Sequence, residues 1–131
     1  MNPAPKQLRL AADKSALTVV WADRQQRFEA EYLRVCSPSA DVRGHGGEWQ
    51  VVGGKRDVRI ERIDAVGRYA VRLVFSDGHD TGLYSWDVFA DLDARYDEYW
   101  SHYLAKIEEF GMSREAEVNV TPLNALLPKK H

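Results

Sequence analysis

Leu8 and Leu10 alternate with Gln7 and Arg9, and this period of two predicts a first strand. Residues 16–22 (ALTVVWA) are apolar and β-branched with few polar breaks, as suits a central strand. Asp13-Lys14-Ser15 and Asp23-Arg24-Gln25 read as the turns on either side of it. Residues 27–30 (RFEA) alternate again, as a partner strand would. Residues 31–35 (EYLRV) predict a short helix with Tyr32, Leu33 and Val35 on its apolar side. From 36 to 54 the chain is rich in Ser, Gly and Pro and holds Gly44-His45-Gly46-Gly47. This is the longest predicted loop, interrupted by a short extended piece at 49–52. Long loops in compact domains are uncommon and often functional. Val58, Ile60 and Ile63 then mark a strand near 57–64, and Gly67 a turn. Residues 69–75 (YAVRLVF) point Arg72 outward and Val71, Leu73 and Phe75 inward. Asp77-Gly78 is a strong hairpin signal, and residues 81–84 return as the last strand.

The period changes in the C-terminal third. Ser85 is placed to N-cap a helix beginning WDVFADL, with Asp87 near the positive end of its dipole. A second helix is predicted over 94–110. Tyr96, Tyr99/Trp100, Tyr103/Leu104, Ile107 and Phe110 recur there at steps of three and four and form one apolar stripe. Gly111 suits the position just past its end. Residues 1–6 read as a flexible lead-in, 7–111 as a single domain and 112–131 as a mobile tail. Strands followed by helices predict an α+β fold. The expected form is an antiparallel sheet of five or six short strands with two C-terminal helices packed on one face.

Composition narrows the class. The 131 residues, 44% hydrophobic and 29% charged, suit one globular domain with its own core. A net charge of −2 argues against a nucleic-acid binder. Arg56, Arg59, Arg62, Arg68 and Arg72 do cluster on two strands, but Asp57, Glu61 and Asp64 interleave them, so a solvated sheet face is expected. The single cysteine, Cys36, makes no internal disulfide. No apolar run is long enough to span a bilayer, and no secretory signal is visible. A cytoplasmic protein is expected, with no membrane association.

Two glycine-containing polar segments, 33–46 and 75–87, hold the candidate chemistry. Cys36, His45 and His79 offer a thiol and two imidazoles, which with a nearby Asp could hold zinc or iron. The spacing matches no metal motif, and a structural thiol with two turn histidines is the simpler reading. Cys36 or a loop serine could pair with His45 or His79, with Asp41, Asp77 or Asp80 orienting the base, but no nucleophile signature surrounds them. Gly44-His45-Gly46-Gly47 and Val52-Gly53-Gly54-Lys55 are neither a Walker loop nor a dinucleotide fingerprint, and read as loop glycine. Tyr84 and Trp86, at the strand-to-helix corner, could wall a pocket or anchor the helix.

Residues 33–46 (LRVCSPSADVRGHG), 66–73 (VGRYAVRL) and 75–87 (FSDGHDTGLYSWD) together resemble the gamma-butyrobetaine hydroxylase-like N-terminal domain, including its stand-alone bacterial form, domain of unknown function 971. The resemblance covers roughly residues 7–111. It implies an α+β domain found in three settings: alone in bacteria, at the N-terminus of 2-oxoglutarate-dependent carnitine-pathway hydroxylases, and appended to Mrp-type P-loop ATPases that handle iron–sulfur clusters. In the hydroxylases it implies a structural zinc on three cysteines and a later histidine. Aligned on Pro38 and Asp41, the cysteine positions fall on Ser37, Ser39 and Val42, and the histidine on His79. Cys36 lies one residue before the first of them. Hydroxylase activity does not transfer, because its iron- and 2-oxoglutarate-binding residues belong to a separate domain.

The resulting expectation is a small non-catalytic interaction or accessory module with no cofactor. Its partner is an unknown protein, with iron–sulfur or other metallocofactor assembly, or an oxygenase, as the suggested setting. Its partner- or ligand-binding surface is expected at Arg34, Ser37, Ser39, Arg43, His45, His79, Asp80, Tyr84 and Trp86. The alternative is a metal-binding protein using Cys36, His45 and His79 with zinc or iron.

Overall fold

The computed structural model describes residues 2–44 and 49–116. The fold is α+β. Strands β1 (Gln7–Leu10), β2 (Ala16–Val20) and β3 (Gln25–Glu29) form one antiparallel sheet in the order β1-β2-β3. Helices α1 (Ala30–Val35) and α2 (Ala40–Arg43) follow. Strands β4 (Ile60–Val66), β5 (Ala70–Phe75) and β6 (Leu83–Ser85) make a second antiparallel sheet in the order β4-β5-β6. Helices α3 (Trp86–Ala94) and α4 (Tyr96–Glu109) complete it.

The expected single sheet is therefore two three-stranded sheets. β3 runs without a break into α1, so the chain leaves the first sheet before another strand can join it. The sheets meet at one backbone bond, from Ile60 N–H to the Lys14 carbonyl (2.9 Å), rather than along a shared edge. The short extended piece expected at 49–52 has no strand partner, and α2 interrupts the expected loop.

Alternation decides what is buried. Val71, Leu73 and Phe75 of β5 point inward, as do Leu17 and Val19 of β2. Phe89 and Leu92 of α3 and Tyr103 and Ile107 of α4 join them in one core between sheets and helices. Most polar groups caught inside find partners, with Arg34 Nη1 and Arg72 Nε as exceptions among the described residues. Gln26 accepts from Trp21 Nε1 (2.7 Å) and donates to Asp93 (3.0 Å). Ser85 caps α3 by accepting from Val88 N–H (3.1 Å), and Gly111 follows α4 at φ +64°. The aromatic stripe of α4 is only partly covered: Tyr96, Leu104 and Phe110 stay exposed. Past α4, Ser113 and Arg114 carbonyls accept from Gly54 and Arg56 N–H, and the Arg114 guanidinium grips buried Glu31 through two bonds of 2.8 and 2.7 Å. Residues 117–131, the rest of the expected tail, lie outside the described residues. Among the described residues no helix is long and apolar enough to cross a membrane.

Candidate functional site

The fold brings the segments 33–44 and 75–84 together. Helix α1 is wholly buried, and it delivers Arg34, Cys36 and Ser37 to the end of the second sheet. The Asp-Gly turn, with Gly78 at φ +91°, returns His79 and Thr81 against them. Ser37 Oγ lies 2.9 Å from His79 Nε2, and Ser39 N–H donates to the same oxygen (3.2 Å). Which of the two groups donates in the Ser37–His79 bond depends on the imidazole tautomer. Ser39 Oγ caps α2 and sits 2.6 Å from Thr81 Oγ1, which in turn donates to Asp41 (3.1 Å). Gly82 has no room for a side chain, since a Cβ there would stand 2.5 Å from Ser37 Oγ.

Charges brace this clasp. Asp77 bridges Arg34 Nε (2.7 Å) and Lys55 Nζ (2.6 Å) and accepts from His79 N–H (3.1 Å). Burial raises the Asp77 carboxyl, but the Lys55 bond, the His79 N–H and Arg34 outweigh it and hold it at about 2. Arg34 Nη1 is buried with no partner among the described residues. Burial, and then the Arg34 charge, lower the His79 imidazole below its ordinary value, so the ring is neutral near pH 7. Arg43 donates to the Ser37 and Cys36 carbonyls (3.2 and 3.0 Å).

Of the expected surface residues, Arg34, Ser37, Ser39 and Tyr84 are turned into the fold. Tyr84 donates its hydroxyl to the Leu33 carbonyl. Trp86 is half-buried, with its indole N–H on the Arg68 carbonyl (2.9 Å), so it anchors the start of α3. Arg43 and His79 are half-buried and Asp80 exposed. His45 lies outside the described residues. Lys55, read as loop, joins the site unannounced, because only the fold carries it to Asp77.

A serine hydrogen-bonded to an imidazole is the start of a nucleophile–base pair. Here Ser37 is 0% exposed, and among the described residues no carboxylate bonds the His79 ring. Ser37 itself is closed off from solvent, and its bond to His79 ties the two loops together. Cys36 is 1% exposed, and burial pushes its thiol up to about 12, so it stays protonated. Among the described residues, no three His, Cys, Asp or Glu side chains converge as a metal site. The metal alternative at Cys36, His45 and His79 thus gains no support.

Site and fold define a small α+β domain whose most polar cluster is spent on its own architecture. The chain belongs to the gamma-butyrobetaine hydroxylase-like, N-terminal family, whose model matches residues 8–90. It is similar to two proteins with solution structures determined by NMR. One is 37% identical over 91% of this chain and 95% of its own, with a TM-score of 0.75. The other is 40% identical over 99% and 94%, also at 0.75. It is also similar to a crystal structure of a protein of unknown function of the DUF971 family from Acidithiobacillus ferrooxidans. That one is 37% identical over 72% of this chain and 99% of its own, with a TM-score of 0.59. No curated protein matches the chain. The structural zinc that the family resemblance implies does not fit these residues. Ser37 and Ser39 offer neutral hydroxyls already engaged, Val42 is a buried alkyl group, and His79 Nε2 faces Ser37.

Proposed function

We propose that this domain is a non-catalytic interaction module, an accessory to another protein. The observation that carries this reading is the Ser37–His79–Asp77–Arg34 cluster, whose buried Ser37 and Arg34 are bonded to His79 and Asp77 within the fold. The residues best suited to chemistry hold loops together and leave no reacting group open to a substrate. The exposed fringe of the clasp, Asp80 and the edge strand at Leu83, is the surface offered to a partner. Short edge strands present unpaired backbone groups, a common basis of protein association. The settings in which the family resemblance places such domains make a metallocofactor or iron–sulfur protein the partner class to try first.

A photo-crosslinking residue at position 80 or 83, in native extract, tests the reading against the same residue at exposed Leu104. A discrete protein captured at 80 or 83 and not at 104 is expected. Capture of the same set at all three positions, or of nothing at any, overturns it.

A further inference from the structure

A cavity of about 420 Å³ opens in the seam between α1, residues 49–51 and one face of α4. That volume lies within the range of small-ligand sites. Its floor is buried side chain: Val35, Cys36 and Tyr103. Its wall is aromatic, with the Trp49 and Tyr99 rings 5.1 Å apart at 41°. Each ring is fixed by contacts of its own. The Arg43 guanidinium stands 4.2 Å from the Trp49 ring centroid. Tyr99 donates its hydroxyl to Asp91 (2.6 Å), and Tyr103 to the Val52 carbonyl (2.8 Å). With both hydroxyls committed, the cavity presents ring faces rather than polar handles.

The rim takes its charge from α4. Arg95, Glu98, His102 and Lys106 follow one another at steps of three and four and share a face. Arg95 and Lys106 are the cations there, with Glu98 on the rim and Asp91 and Glu109 beside it. Arg95 bonds the Tyr99 hydroxyl and pairs with Asp91 and Glu98 at 3.4 and 3.9 Å, whereas Lys106 meets Glu109 at 3.1 Å. Loose exposed pairs exchange partners at little cost. The Arg95 end is therefore where a ligand anion gains most.

We infer that this cavity binds a planar aromatic ring bearing one carboxylate, with the ring stacked on Trp49 and Tyr99 and the carboxylate on Arg95. Stacking supplies affinity, and the rim selects the anion. The site is separate from the exposed fringe at Asp80 and Leu83, so it stands or falls independently of the crosslinking experiment.

Titration of ¹⁵N-labelled protein with naphthalene-2-carboxylate, followed by NMR, tests it. Saturable shifts are expected at the Trp49 indole N–H and at the backbone of Gln50, Val51, Tyr99 and His102. Neutral 2-naphthamide should bind about fivefold or more weakly, a difference of the size one charge contact provides. Arg95 and Glu98 are exposed, so Arg95→Gln and Glu98→Gln leave the fold intact, which unchanged distant resonances verify. Glu98→Gln should tighten carboxylate binding about twofold and Arg95→Gln weaken it about threefold. The inference is overturned if no saturable shift develops by about 5 mM, an affinity below useful recognition. Shifts scattered away from the seam, or equal affinity for acid and amide, overturn it as well.

Discussion

Replacing Asp77 by Asn tests the brace at its centre. The substitution keeps an oxygen for the His79 N–H but removes the charge that Arg34 and Lys55 share. Two routes give the magnitude. Holding the carboxyl at about 2, below its ordinary 3.8, corresponds at neutral pH to at most about 2 kcal/mol of stability, and solvent screening of the partly exposed carboxylate lowers that figure. Removing one partner of a buried ion pair costs about 3–5 kcal/mol. Asp77 keeps 19% of its side chain exposed and Lys55 21%, so Lys55 can turn to water and the cost drops toward the lower figure. Arg34, 9% exposed and with Nη1 already unpaired, cannot turn out. Asp77→Asn is thus expected to lower the unfolding free energy by about 2–3 kcal/mol at pH 7, read by urea denaturation followed by tryptophan fluorescence. The folded carboxyl is depressed, so its contribution is complete above 3.8 and is lost as pH falls toward about 2. The gap between wild type and variant must narrow over that window. Adding Arg34→Met to the variant should recover part of the loss, because it removes the stranded charge. A loss under about 0.5 kcal/mol at pH 7, or a gap that stays constant down to pH 3, refutes the reasoning.

Gly82→Ala drives a methyl onto Ser37 Oγ and the Tyr84 ring, and should cost about 1–3 kcal/mol; unaltered chemical shifts at Ser37 and His79 would show that the loops are not held together there. The His79 pKa is lowered by burial first and Arg34 second, so the unfolded chain takes up the proton more readily. Stability should fall as pH drops below 6.5, and His79→Gln should flatten that slope; an unchanged slope assigns it to another group. Cys36, buried and held protonated, should react with Ellman's reagent about a hundredfold or more slowly in the native protein than in urea, and equal rates would contradict its burial.

Local signals in the sequence carried the elements, and non-local ones escaped it. β5 is legible because its alternation is strict, and the start of α3 because Ser85 stands where a cap must. The break into two sheets leaves no such mark, since a strand's periodicity says which face is inward but not which edge is paired. α2 hides in a segment whose Ser and Pro suggest loop, although Ser39 caps it. The clasp joins residues 42 positions apart; residue type offered a loop serine beside His79 among several pairings, and the family resemblance put Ser37 and His79 at one site. Lys55 and the Trp49–Tyr99 wall had no signal beyond residue type. The Ser37 and Ser39 hydroxyls that suggested an exposed binding surface are buried, each with a partner, while His79 is half-buried; polarity alone does not distinguish these outcomes.

Arg43 connects the two regions that matter. Its guanidinium satisfies the Cys36 and Ser37 carbonyls, which lie at the C-terminal end of α1 with no helical donor to receive. The same group stands over Trp49, so the position of the cavity wall follows from the conformation of the clasp. Cys36 contributes to both as well: its carbonyl holds Arg43, and the residue lines the cavity floor. A change that loosens Ser37 from His79 therefore reaches the aromatic wall through one side chain. The segment 36–44, with α2 inside it, therefore both braces the clasp and holds Trp49 of the cavity wall through Arg43.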